Sequence, residues 1–230
     1  MSGGNHSNIS ISNLIEDDNA MAQINEAPLS HHPVFNLTLG AMQSAILVDI
    51  DASETKNIAI IDLSFMGGLI GQSSHPLVMI RVAKNAKVEI LETHAGKNGL
   101  SAPIVFLQLD DGAVCDHVRC QVADMASSQL GLSIVNQNTG SDYRNFSLSS
   151  GGDISRAEMH LNLNGENASS HLSSIYLGCK DQHMDITTRL YHNVALCKSE
   201  QVIRGVLDDR ARGVFQGKIY VKNIAQKTDA

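Results

Sequence analysis

From Ala45 onward, short runs of alternating apolar and polar residues recur along the chain, each ended by Gly, Asn, Asp or Ser. SAILVDID, NIAIIDLSF, LVMIRVAKN, AKVEILETH, IVFLQLDDG, AVCDHVRCQVAD, LGLSIVNQN, AEMHLNLNG, SSIYLG, MDITTRL, QVIRGVLDD and GVFQGKIYV are rich in Val, Ile, Leu and Thr. Alternation of this kind places one face of a strand in a core and the other toward water. Few stretches after residue 45 carry a helical period. Residues 1–30 are polar and rich in small residues. They read as a loose lead-in, with a weak helix near Leu14–Ile24.

A dozen strands without interleaved helices leave a sandwich, a barrel or a solenoid. The turns are short and polar, as in AKNAK, LDDGA, LNGENA, CKDQH and LDDRA, and they return at fairly regular intervals. Five Phe, four Tyr and no Trp are few for a wide sandwich core. A β-helix is narrow and fills with stacked aliphatic and small residues, so the pattern favours an all-β solenoid from about Pro33 to Lys222.

Charge and composition remove several function classes. Lys plus Arg is 17 and Asp plus Glu is 24, a net charge of −7, which counts against nucleic acid or an anionic membrane as partner. No run reaches the roughly 18 apolar residues of a membrane span, and MSGGNHSNIS lacks the pattern of a secretory signal. Four cysteines in an unsignalled chain of this length read as reduced thiols of the cytoplasm. Neither SFMGGLIG nor SSGGD matches a phosphate-binding glycine loop, so no ATP chemistry is expected.

Candidate ligand groups are few. In Cys115-Asp116-His117-Val118-Arg119-Cys120, strand alternation puts Cys115 and His117 on one face and Cys120 on the other, which keeps the three from converging. His160 and His183 are 23 apart in sequence, and His171 and His192 are 21 apart. A coil of roughly 20 residues would stack each pair on adjacent rungs. His192 and Cys197 flank the turn in YHNVALC and form the one candidate pair for a soft metal. Asp208-Asp209-Arg210 reads as a turn between strands.

The segment RGVLDDRARGVFQGKIYVKNIAQKTDA, residues 204–230, resembles the signature that closes the core domain of the SufD/SufB family of iron–sulfur cluster assembly proteins. IRVAKNAKVEILETHAG, the Asp116-His117-Val118-Arg119 and Gln121 positions, FSLSSGGDISRAEMHLNLNGENASSHLSSIYLG and the histidines at 160, 171, 183 and 192 are similar to the family as well. The resemblance covers residues 31–230, and ARGVFQGKI favours the SufD side. It implies a single-stranded right-handed parallel β-helix and a non-catalytic scaffold role beside a SufB-type subunit and a SufC-type ATPase. An iron–sulfur cluster would then be held only transiently, in the full complex, and not stably by this chain. The family's Cys-Ser-His segment and its ATPase-docking helices lie beyond the part matched here, so ATPase contact is expected to be lost. Association through the core, with the SufB-type subunit or with a second copy, is expected to persist. The competing classes are a β-helical enzyme acting on polysaccharide and an adhesin-like solenoid.

Overall fold

The structure is a computed structural model that describes residues 8–27, 29–42, 45–51 and 58–229. Its elements are β1 (Ile9–Asn13), α1 (Asp18–Asn25), α2 (Pro33–Ala41), β2 (Ala45–Ile50), β3 (Ala59–Met66), β4 (Ser73–Ser74), β5 (Leu77–Val82), β6 (Lys87–Ala95), β7 (Leu100–Ser101) and β8 (Ile104–Leu109). There follow β9 (Val114–Ala123), β10 (Ser128–Gln137), β11 (Asp142–Gly151), β12 (Ile154–Leu163), β13 (Ser169–Gly178), β14 (His183–His192), β15 (Lys198–Leu207) and β16 (Arg212–Val221). The chain winds as a right-handed parallel β-helix, alternating between two sheets. Sheet one runs β1-β2-β5-β8-β10-β12-β14-β16, and sheet two runs β3-β6-β9-β11-β13-β15. Among the described strands only β1 is antiparallel; it covers the first edge of sheet one by pairing Ile9 with Ile50.

A coil is longer than the histidine spacing assumed. The step is 27 residues from Leu77 to Ile104 and 29 from Ile154 to His183, because each coil carries two strands, up to ten residues each, and two turns. His160 therefore stands beside Arg189, His183 beside Ile154 and Arg212, and His171 beside Arg144 and Glu200. The expected histidine stacks do not form.

The inner faces supply a continuous apolar core, with Val48, Ile80, Leu107, Val135 and Leu161 from sheet one against Val88, Ile90 and Leu172 from sheet two. The outer face of sheet one is apolar too in its first coils: Leu47, Met79, Phe106 and Ile134 lie under Leu14, Ala20, Ile24, Leu29 and Phe35. Over residues 14–27 and 29–30 this cover corrects the reading of a loose lead-in; residues 1–7 lie outside the described residues. Asp17 caps α1 by accepting from the Ala20 N–H, and Pro33 opens α2 at a position where a missing N–H costs nothing. The solenoid accordingly starts at Ala45 and not at Pro33, which belongs to a helix. Among the described residues β16 is the last strand of sheet one. Phe215, Ile219 and Val221, in register with Ile186, Leu190 and His192, are 47%, 45% and 44% exposed. No helix among the described residues is long and apolar enough to cross a membrane.

Candidate functional site

Two polar constellations interrupt the apolar packing. The first is inside the solenoid, where β6, β9 and β11 point Glu92, His94, His117, Arg119 and Tyr143 inward. All five are buried. The Glu92 carboxylate receives His117 Nε2 at 2.8 Å, Arg119 Nε at 3.2 Å and, more closely, His94 Nε2. Tyr143 Oη lies 2.9 Å from His117 Nδ1, and the His94 ring stacks on Phe65 at 4.9 Å. With Tyr143 donating to Nδ1, His117 Nε2 carries the proton that Glu92 accepts. Burial by itself would push the Glu92 carboxyl up, but His94 and His117 pull harder and hold it well below the usual carboxylate range. Burial keeps Tyr143 protonated, far above its ordinary value. The site can thus hold a charge pair and a relay of hydrogen bonds across three coils, away from water.

The second constellation lies where the helical cover of sheet one ends. On β12, Glu158 and His160 face outward, next to His32 from the N-terminal segment. Glu158 accepts from His160 Nε2 at 2.8 Å, His32 Nε2 at 3.1 Å and Arg156 Nη2 at 2.8 Å, with Arg189 Nε at 3.4 Å. Burial would raise the Glu158 carboxyl, yet these donors hold it far below its ordinary range. Ligand atoms of His32, Glu158 and His160 all lie within 4.8 Å of one another. Two features oppose a metal there. The guanidiniums of Arg156 and Arg189 already neutralise the carboxylate, and His32 Nδ1 accepts the Phe35 N–H at 3.3 Å, leaving Nε2 as the protonated nitrogen. The group is an ion-pair clamp that ties the N-terminal cover to the fifth coil. Replacing His32 with Ala removes a helix cap and a bond to a charged group. The expected loss is about 2 kcal/mol, read as faster proteolysis within residues 18–41 while the later coils stay protected.

The sequence-derived candidates sit elsewhere. Cys115 and His117 point inward and Cys120 outward, as alternation requires. His192 ends β14 facing inward, with Nε2 2.9 Å from Ser199 Oγ; Cys197 is buried and its thiol donates to the Gly165 carbonyl at 3.4 Å. Burial pushes the Cys197 thiol up, so it stands as a protonated thiol and not as a thiolate ligand. All four cysteines are free. Glu92, His94 and Arg119 do not stand out as chemistry in the sequence, although LETH and DHVR place four polar side chains on the inward faces of β6 and β9.

Burial lowers the pKa of both His94 and His192. A histidine depressed in the folded state contributes stability that is fully present above the unfolded value of about 6.5 and is lost as pH falls below it. Thermal unfolding is therefore expected to shift downward as pH falls below about 6.5, and His94→Asn should flatten part of that slope.

The comparisons agree with the fold. The family model described as SUF system FeS cluster assembly, SufBD core domain, matches residues 65–230. The chain is 37% identical over 79 residues to the iron–sulfur cluster assembly protein SufD of Escherichia coli, covering 34% of this chain and 19% of that protein. It is 24% identical over 162 residues to Protein ABCI7, chloroplastic, of Arabidopsis thaliana, 68% of this chain and 34% of that one. It is 23% identical over 198 residues to the SufBD family protein Rv1462 of Mycobacterium tuberculosis, 82% of this chain and 49% of that one. The chain thus spans from a fifth to half of the length of these relatives. With the matched region covering most of the parallel β-helix, the chain belongs to the SufBD core family of SUF-system iron–sulfur cluster assembly proteins.

Proposed function

We propose that this chain serves as a SufD-type, non-catalytic scaffold subunit. In this reading it associates through its core with a SufB-type subunit, in a complex that also holds a SufC-type ATPase. The iron–sulfur cluster is cargo of the assembled complex and is not resident in this chain. Four unpaired thiols fit a reducing compartment, and the cytoplasm is the one proposed.

The observation that carries the reading is the match of the SufBD core family model to residues 65–230, which takes in the coils from the end of β3 to β16. Co-expression with a SufB-type subunit and a SufC-type ATPase tests it: the SufB-type subunit should co-purify in stoichiometric amount with these 230 residues. A chain that purifies alone, with the other two proteins forming a complex without it, would overturn the assignment.

His192 and Cys197 remain the proposed points of cluster contact. Neither has the partners of a stable site: His192 faces Ser199 and Cys197 faces a carbonyl. Anaerobic reconstitution of the isolated chain is expected to give no stable visible chromophore. A stable chromophore that disappears in Cys197→Ala would show a resident cluster instead.

A further inference from the structure

Next to the Glu92 network lies a second set of interior polar atoms with no partner among the described residues. They are Ser101 Oγ, both amide atoms of Gln129, Ser149 Oγ, His94 Nδ1 and Arg119 Nη1. Each belongs to a residue at least nine-tenths buried. Unpaired polar atoms in a dry interior cost roughly 1–3 kcal/mol apiece, so several together mark a place where a polar guest belongs.

Register stacks them over successive coils, with His94 and Ser149 two rungs apart on sheet two. Ser101 pairs with Gln129 on the inner side of sheet one. His94, Gln121 and Ser149 form one ladder on sheet two. Two glycines let these walls approach. A Cβ on Gly131, two residues after Gln129, would meet Arg119 Nη2 at 2.8 Å, so the guanidinium reaches across the solenoid into space that a side chain would fill. A Cβ on Gly96, two residues after His94, would lie 3.6 Å from Gln129 Nε2.

The donor count specifies the guest. Arg119 Nη1, Gln129 Nε2 and the two hydroxyls offer N–H and O–H groups, whereas the only free acceptors besides those hydroxyls are Gln129 Oε1 and His94 Nδ1. The Glu92 oxygens are already taken by three donors.

We propose that this stack is a binding site for one small monovalent anion, held by Arg119 Nη1, Gln129 Nε2 and the Ser101 and Ser149 hydroxyls, and that the anion enters with one proton, taken up at His94 Nδ1. The proton balances the charge. Glu92 and Arg119 cancel, and the anion is matched by a His94 imidazolium that donates from Nε2 to Glu92 and from Nδ1 to the anion. The charged and titratable groups facing His94 are Glu92 on its own strand and His117 and Arg119 on β9; from β3 it meets the Phe65 ring. The nearby Glu92 carboxylate disfavours a dianion. In the empty site burial keeps His94 neutral at ordinary pH. The site is independent of the scaffold assignment.

Bromide is the probe. Crystals grown in sodium bromide near pH 5.5 and measured at the bromine edge should show one anomalous peak within hydrogen-bond reach of His94 Nδ1 and Arg119 Nη1. In solution, bromide should raise the melting temperature saturably beyond a sodium gluconate control of equal ionic strength. The apparent affinity should rise up to about tenfold per unit fall in pH while His94 is neutral in the anion-free site, and level off once pH falls below its pKa there. Gln129→Met, which keeps the side-chain volume, should weaken bromide at least fivefold while the chain still folds. His94→Asn should abolish the pH dependence. Water alone at this position, equal shifts in bromide and gluconate, or an affinity indifferent to pH and to Gln129→Met would each overturn the proposal.

Discussion

Replacing Glu92 with Leu is expected to lower the unfolding free energy by about 3–5 kcal/mol, because it leaves the buried Arg119 guanidinium without its counter-charge. For a chain of this size that is a fall of roughly 10 °C in melting temperature. The same change strips the acceptor from His94 Nε2 and His117 Nε2, both buried. The double variant Glu92→Leu/Arg119→Met removes both charges and should recover a large part of the loss, since an apolar pair of similar volume does not carry the desolvation cost. If the single and double variants melt together, the ion pair is not what holds this layer. The carboxylate's contribution has a defined pH sense. Its folded pKa lies well below the ordinary value of 4.5, so the stabilisation is complete above that value and is lost only as the solution is acidified through the folded pKa.

Gly151→Ala, at the end of β11, should be strongly destabilising. Gly151 has φ of 86°, a conformation that costs an L side chain energy, and a Cβ there would stand 2.1 Å from the Ala123 carbonyl oxygen of the coil below. That oxygen also accepts the Gly152 N–H at 3.2 Å, so it cannot retreat without breaking a turn contact. Backbone strain and overpacking together give roughly 2–4 kcal/mol. Gly140→Ala is the matched control: φ is 65°, but nothing lies within 4 Å of the new methyl. It should cost only about 1 kcal/mol. Denaturant unfolding of the two variants separates the clash from the strain; equal losses would mean that the coil below moves freely.

The solenoid was legible because most strands obey a strict alternation and most turns end in residues that tolerate positive φ, such as Asn85, Gly112, Gly140 and Asn167. What escaped has physical causes. β11 was not read as a strand, since its inward residues Tyr143, Asn145, Ser147 and Ser149 carry no aliphatic signal. The coil length was underestimated because the turns between the two strands of one coil look like the turns between coils. Of the N-terminal cover only the weak helix near Leu14–Ile24 shows as a pattern, and α1 forms there; that Leu14, Ala20, Ile24, Leu29 and Phe35 act as one cover follows only from the apolar outer face of β2, β5 and β8. In the site, Cys115 and Cys120 stand out by residue type, while the buried network forms around Glu92, whose partners come from its own strand and from β9, with Tyr143 of β11 joined through His117. Pairing across coils of 27 to 29 residues brings those together, and no local motif contains that information.

The scaffold assignment turns on association through the core. Binding of a SufB-type subunit to these 230 residues, measured by biolayer interferometry with an unrelated β-helical protein of similar net charge as control, tests it most directly. The account predicts saturable binding by this chain and none by the control. Equal responses from both, or no binding by the folded chain, would contradict it.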